Sequence, residues 1–416
     1  MLIEQHCGEI LRTVSFKSLT SEEKERLIVL ISHDIAMAAK ASQSDIVRTL
    51  IDDELFGNSG AKYTLFGQSE RSLSADQAAA HNAMAITASL CEDFVNGTHP
   101  GSVIFPLLLA EAERTSLSIE QMLDAATAGL KISMFLLDMY GKAVAEKGYR
   151  PTTVINTMSG AAALALAQGA SSEEALAAMS AAAGMVQGLA FPFQEGTEEW
   201  FVQVPLVTHA ASLACRNAKA LYFRHTEFLS GERSLGRLLG VSMDADLPDN
   251  LSLTRIGVKR HPVNSFVQPV VEAVLRLQNV DSKLIEAVHV MVPPSFAAMP
   301  SLLNNGPLSS PNLGLLSIPI SSALALIHKG LDFSDFRKAN DEAVLALANK
   351  VKVEFHNQLS QYDVHVVVNT ADGKQESVLK TSFFYPSLAD ELTWIQEQYN
   401  QPLPWVGKLI DWYNNR

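Results

Sequence analysis

The sequence predicts a mainly α protein: a large all-helical domain, a smaller α/β (α+β) domain inserted after it, and C-terminal helices that return to the helical domain. Three observations carry this. Apolar residues recur at helical spacing almost without interruption from Ile3 to about Leu239; turn residues cluster at Asp244–Asn250 (DADLPDN); and period-two apolar segments appear only beyond that cluster. The boundaries that follow are residues 1–248, 249–386 and 387–416.

In the N-terminal part, Leu27, Leu30, Ile31, Ile35 and Ala38 mark one helix, with Thr20 and Glu23 spaced as a capping box at its start. Alanine-rich runs at Ala161–Ala167 and Ala175–Ala183 suit close helix packing, because small side chains let the axes approach. Gly169 and Gly184 punctuate these runs, and Ser171 or Ser172 is the expected cap of the helix beginning near Glu173. After the turn cluster, Ile285–Val292, Val351–Phe355 and Val364–Asn369 alternate as strands, and Ala371-Asp372-Gly373 supplies a turn into a further strand expected at Ser377–Phe384. Helices are expected between them at Phe266–Leu277, Ser321–Ile327 and Asp341–Ala348. The tail from Leu388 is helical again, anchored by Trp394, Ile395, Trp405, Leu409 and Trp412.

A chain of 416 residues is more than one core usually organises. Hydrophobic residues at 47% against 19% charged are enough to build those cores and argue against disorder. The net charge of −13 disfavours non-specific binding to nucleic acid or to anionic membrane. Met1–Ile10 is polar, with Glu4 and Glu9, unlike a signal peptide, and the longest apolar runs are too short to span a bilayer. A cytoplasmic protein is expected. Cys7, Cys91 and Cys215 are an odd number without metal-type spacing and read as reduced, buried thiols. No GxGxxG, Walker loop, GxSxG, HExxH or paired CxxC supports a nucleotide, serine-hydrolase or zinc reading.

The stretch Asn82–Ser102 (NAMAITASLCEDFVNGTHPGS) is the most informative, because Glu92-Asp93 and His99 stand beside a Gly-Ser turn in an otherwise apolar helical run. Other fragments join it in order: Tyr63–Gly67 (YTLFG), Ala79–Asn82 (AAHN), Thr98–Ser102 (THPGS), Gly148–Thr152 (GYRPT), Lys259–Pro262 (KRHP), Leu316–Pro319 (LSIP) and Thr370–Gly373 (TADG). Collinear and compatibly spaced, they resemble the MmgE/PrpD family, which includes 2-methylcitrate dehydratase, cis-aconitate decarboxylase and iminodisuccinate epimerase.

The resemblance implies a helical domain carrying a smaller α/β lid, a homodimer, and a cleft that handles small polycarboxylic acids by proton transfer without metal or organic cofactor. Such chemistry needs an acid/base and cationic groups for the developing enolate charge. Carried over residue by residue, only His99 keeps its identity. Leu90 and Phe94 replace polar site residues, Arg150 replaces the histidine of G-F-H-P-T, and Trp200 and Gln203 replace a lysine and a histidine. Gln268 stands in the place of a further histidine, and Ile320 in that of a tyrosine.

The candidate catalytic residues are therefore His99, Arg150, Asp93 and Lys259. Thr98, Thr152, Thr153, Trp200, Gln203, His261, Asn264, Ser265 and Gln268 are candidates for substrate binding. His99 is the preferred acid/base, and Glu92 and Asp93 could orient it. Arg150, with Thr152 and Thr153 at a helix start, could bind a carboxylate or carbonyl oxygen. Asn264 and Gln268, four apart, would share a helical face. Each has a structural alternative: a histidine bonded to its own loop, a solvent-facing acidic pair, an interdomain salt bridge, a capping asparagine, a tryptophan in the core. His209 is expected as a packed core histidine.

The loss of one lysine and two histidines removes charge-assisted contacts worth about 1.5–3 kcal/mol each. The expected function is a lyase or isomerase acting on a small carbonyl or carboxylate compound that is not a tricarboxylate, by dehydration, isomerisation or cyclisation, as in specialised metabolism. The alternative is a degenerate member that binds a ligand or partner without chemistry.

Overall fold

Side-chain caps set where the helices begin. Thr20, Ser74, Ser118 and Ser171 each accept a hydrogen bond from the backbone N–H three residues on, and the side chains of Glu23, Gln77, Gln121 and Glu174 in turn accept the cap residue's own N–H. These capping boxes each contribute about 1 kcal/mol and fix the starts of four helices from local sequence alone.

A computed structural model of the chain describes residues 3–44, 47, 62–66, 71–220, 227–241, 247–299 and 301–416. Gly67 of the YTLFG fragment and Asp244–Asp246 of the turn cluster lie outside the described residues. The chain is mainly α with a small mixed sheet, and it divides into two compact units.

The first unit comprises Met1–Ala190, Trp200–Val258 and Ser387–Arg416. Its helices are α1 (Ile3–Thr13), α2 (Ser21–Ala41), α3 (Ala75–Ser89), α4 (Gly101–Thr115), α5 (Ile119–Glu146), α6 (Pro151–Ala167) and α7 (Ser172–Ala183). After α8 (Phe191–Glu195), which belongs to the second unit, come α9 (Trp200–Ala220) and α10 (Leu235–Leu239). The C-terminal helices α14 (Leu388–Gln398) and α15 (Pro404–Asn414) complete this unit and pack on α2. Helix α6 is buried from Thr152 to Ala165 and packs against α4, α5, α7 and α9. A helix apolar on all sides belongs at the centre of a bundle, and α6 occupies that place.

The unit is built on helices, as the sequence suggested. Two short strand pairs interrupt it: β1 (Lys62–Tyr63) with β2 (Arg71–Ser72), and β3 (Asp93–Phe94) with β4 (Gly257–Val258). Periodicity cannot detect two-residue strands, because alternation needs a longer run to register. His209 is corrected: it lies on the exposed face of α9 with Val202, Leu206 and Leu213, not in the core.

The second unit, Phe191–Glu199 with Lys259–Pro386, holds α11 (Gln268–Leu275), α12 (Ile318–His328) and α13 (Glu342–Ala348). Its sheet, in the order β6-β5-β7-β8, joins β5 (Ile285–Val292) in parallel to β6 (Val351–Phe355) and antiparallel to β7 (Val364–Thr370), which pairs with β8 (Gly373–Leu379). One face, with Val288, Val290, Val292, Val364, Val366 and Val368, is buried. Segment 191–199 joins this unit through Gly196, whose carbonyl accepts from Ser310 Oγ and Asn312 Nδ2.

Two boundaries differ from the periodic reading. β8 begins at Gly373, directly after the Ala371-Asp372 turn, and stops at Leu379. There the Asp363 carboxylate captures the N–H and hydroxyl of Thr381 and draws the chain into a 3-10 turn. Helix α11 starts at Gln268 rather than Phe266, because Asn264 Oδ1 accepts the Phe266 N–H in an Asx turn and Pro269 suits a first turn.

Candidate active site

The site grows from the link between α3 and α4. Helix α3 ends at Leu90, which is left-handed (φ 56°), and Cys91 and Glu92 then lead into β3. A two-residue hairpin follows. Val95 and Thr98 exchange both backbone hydrogen bonds at 2.9 Å across Asn96 (φ 42°) and Gly97 (φ 82°). Positive φ at both central residues is what an Asn-Gly pair supplies, and it delivers His99 immediately before α4.

His99 is held from both sides. Its Nδ1 lies 2.6 Å from the carbonyl oxygen of Asp93, which can only accept, so Nδ1 carries a proton. Its Nε2 lies 3.4 Å from Oε1 of Glu92, whose side chain is 3% exposed against 18% for the histidine. The exchangeable proton of this pair therefore sits on the Nε2–Glu92 side, on a ring that solvent can reach.

Helix α6 supports the same segment. Asn156 Nδ2 donates to Thr98 Oγ1 (3.0 Å) and to the His99 carbonyl (3.2 Å), while its Oδ1 accepts from Ser133 (2.6 Å). One turn earlier, on the same helical face, is Thr152. Its hydroxyl is fully buried and meets no partner among the described residues. Thr153 does otherwise: its hydroxyl donates to the Arg150 carbonyl at 2.9 Å, at the start of the helix.

Arg150 precedes α6. Its N–H donates to the Gly188 carbonyl (3.1 Å) and its Nη1 to the Trp200 carbonyl (3.1 Å). Burial lowers the guanidinium to about 10, with the Glu92 charge opposing that loss. Arg150 and Glu92 are thus a buried cation and anion in the same unit as the partly exposed His99 ring.

Asp93 points away from the ring it carries. Both its oxygens accept the Gly101 N–H (3.1 and 3.0 Å) at the start of α4, and its own N–H donates to Asp34 Oδ1 (2.9 Å). The adjacent His33 holds the segment's other end, with Nε2 2.6 Å from the Cys91 carbonyl and Nδ1 2.8 Å from Glu391. Consecutive residues of α2 thereby grip residues 91–93.

Trp200 is buried and stacks on Phe201 with centroids 3.7 Å apart, so its ring packs in the core. Gln203 Nε2 donates to the Leu189 carbonyl (2.9 Å), and its Oε1 is buried without a partner among the described residues. The remaining candidates belong to the second unit. Lys259 is buried, His261 Nε2 pairs with Glu272 (2.9 Å), and Ser265 lies in the turn ahead of α11. Asn264 lies ahead of α11, so it shares no helical face with Gln268. The Gln268 amide is spent on the 260–263 loop, with Oε1 accepting the N–H groups of Arg260 and His261 and Nε2 donating to the carbonyls of His261 and Val263.

Asp34, Asn156, His33 and Glu391 escaped the sequence reading. A His-Asp pair inside the apolar run of α2 was the available signal, as was an asparagine four residues after Thr152. Among the described residues no group of three or more His, Cys, Asp or Glu is placed to hold a metal ion, and no helix is long and apolar enough to cross a membrane.

A helical bundle presenting a turn-held histidine beside a buried carboxylate and arginine has the makings of a proton-transfer site. The family model of the MmgE/PrpD N-terminal domain matches residues 5–240, and the chain belongs to the MmgE/PrpD family. No curated protein matches it in a sequence comparison. Membership points to dehydratase- or lyase-type chemistry.

Proposed function

We propose that the protein is a lyase or isomerase that transfers a proton on a small carbonyl or carboxylate compound, without metal or organic cofactor. His99 is the acid/base. The observation that carries this reading is the pinned ring: with Nδ1–H committed to the Asp93 carbonyl, Nε2 alone is left to exchange a proton, and Glu92 is placed to share it. Proton transfer by a positioned side chain is worth about 10²–10⁴ in rate.

Arg150 and Thr152 are the proposed oxygen-binding pair. Thr152 has an unspent buried hydroxyl at the N-terminal end of α6, where the helix dipole favours developing negative charge. Asp93, Thr98 and Thr153 are spent on backbone and neighbouring side chains, which suits holding the site more than touching substrate. Among the described residues this unit's site holds one buried cation, Arg150, where the resemblance implies more, and that favours a substrate with fewer carboxylates than methylcitrate. We also propose the homodimer that the family resemblance implies and the cytoplasmic location that the sequence led us to expect.

Incubating the full chain with 2-methylcitrate, cis-aconitate, iminodisuccinate and a panel of hydroxy-, oxo- and unsaturated monocarboxylic acids, followed by proton NMR, tests the reading. Turnover within the monocarboxylate panel, lost in His99→Ala, is expected. Brisk turnover of any of the three polycarboxylates would overturn the substrate class, and binding that His99→Ala leaves intact without any turnover by the wild type would favour a binding protein.

A further inference from the structure

Asp34 and Asp93 bring two carboxyl groups together where no solvent reaches, for both residues are 0% exposed. Both Asp93 oxygens face the Gly101 N–H at the start of α4, whose capping residue, Pro100, offers no side-chain bond. The N-terminus of a 15-residue helix favours an anion there. Asp34 is placed differently. Its Oδ1 accepts the Asp93 N–H, and its Oδ2 meets no hydrogen-bond donor among the described residues. That oxygen lies against the start of α4, 2.4 Å from where a Cβ on Gly101 would be.

Both side chains thus converge on the first residue of α4, Asp93 through the Gly101 N–H and Asp34 through Oδ2. Two carboxyl groups this close and this buried disfavour a second charge and favour a proton shared between them. We infer that Asp34 is a positioning residue that keeps its proton and donates it from Oδ2 to the Asp93 carboxylate, so that an acid–carboxylate pair clamps the segment carrying His99. Burial pushes the Asp34 carboxyl well above the usual range, the Asp93 and Glu92 charges add to this, and the Asp93 N–H opposes it.

The clamp has a consequence for the ring. Asp93 uses its N–H on Asp34, its carboxylate on Gly101 and its carbonyl on His99 Nδ1, so a shift of Asp93 turns the histidine. On the other side His33 holds the Cys91 carbonyl and is itself held by Glu391 of α14. The significance of the clamp for turnover rests on the proposed role of His99; its existence does not.

An asparagine reproduces the protonated acid, since its Oδ1 accepts and its Nδ2 donates. Infrared spectra of the full chain with 13C-labelled aspartate at neutral pH should contain a protonated-carboxyl stretch that Asp34→Asn removes. Asp34→Asn should keep the thermal midpoint and the hydrogen-bonded Nδ1–H proton resonance of His99, whereas Asp34→Ala should shift or lose that resonance. Absence of the protonated-carboxyl band in the wild type would overturn the inference even if every variant failed to fold. So would Asp34→Asn disturbing the His99 resonance as much as Asp34→Ala, or Asp34→Ala leaving it unmoved. None of these readouts uses turnover, so they fail or succeed separately from the assignment of His99 as acid/base.

Discussion

Glu92 Oε1 lies 3.4 Å from His99 Nε2, with the carboxylate buried and the ring partly open to solvent. If this pair carries the proton, Glu92→Gln keeps the shape and removes the charge. A fall in kcat of about 10–100-fold with little change in KM is expected, against about 10²–10⁴-fold for His99→Ala. Steady-state kinetics on the best substrate of the panel gives both numbers. A Glu92→Gln effect confined to KM would assign the carboxylate to binding.

Thr152 predicts a trade between stability and function. Its buried hydroxyl, which meets no partner among the described residues, carries a desolvation cost of about 1–3 kcal/mol that Thr152→Val removes without changing the shape. The variant should resist denaturant at least as well as wild type, by up to about 1 kcal/mol, and lose kcat/KM. Chemical denaturation and kinetics together check this.

Gly101 has no room for a side chain, because a Cβ there would meet Asp34 Oδ2 at 2.4 Å and the Phe105 ring at 2.5 Å. Gly101→Ala should destabilise the chain by about 1–3 kcal/mol through overpacking. Circular dichroism melts measure it.

In the second unit, burial acts to raise the Glu272 carboxyl, but the hydrogen bond and charge of His261, with Arg276 alongside, outweigh it and hold the group down to about 2. A depressed carboxyl stabilises the fold above its ordinary value of 4.5, and that contribution is lost as pH falls toward about 2. Glu272→Gln should therefore cost on the order of 3 kcal/mol near neutrality, and its deficit should shrink steadily between about pH 4.5 and 2. Urea titrations across that range test the sign.

Much of the fold was legible because its determinants are local. Thr20 with Glu23 and Ser171 with its helix are read from neighbouring residues, and the strands at 285–292 and 364–370 from alternation. His99 was legible for the same reason, as one short segment holds the ring, the turn and both acids. Its support was not. Asp34 meets Asp93 across 59 residues, Asn156 meets Thr98 across 58, and Glu391 meets His33 across 358, and none of these pairings leaves a periodic or motif trace. Gln268 shows the opposite failure. Spacing from Asn264 suggested a shared face, but the Asx turn starts the helix later and the amide closes its own loop.

The most direct test of His99 as acid/base is solvent deuterium incorporation. In D2O, the wild-type chain given the panel acid it turns over should introduce deuterium at the carbon whose C–H bond is broken or formed. His99→Ala should fall to background while still binding that acid in calorimetry. Exchange by His99→Ala at the wild-type rate would contradict the assignment.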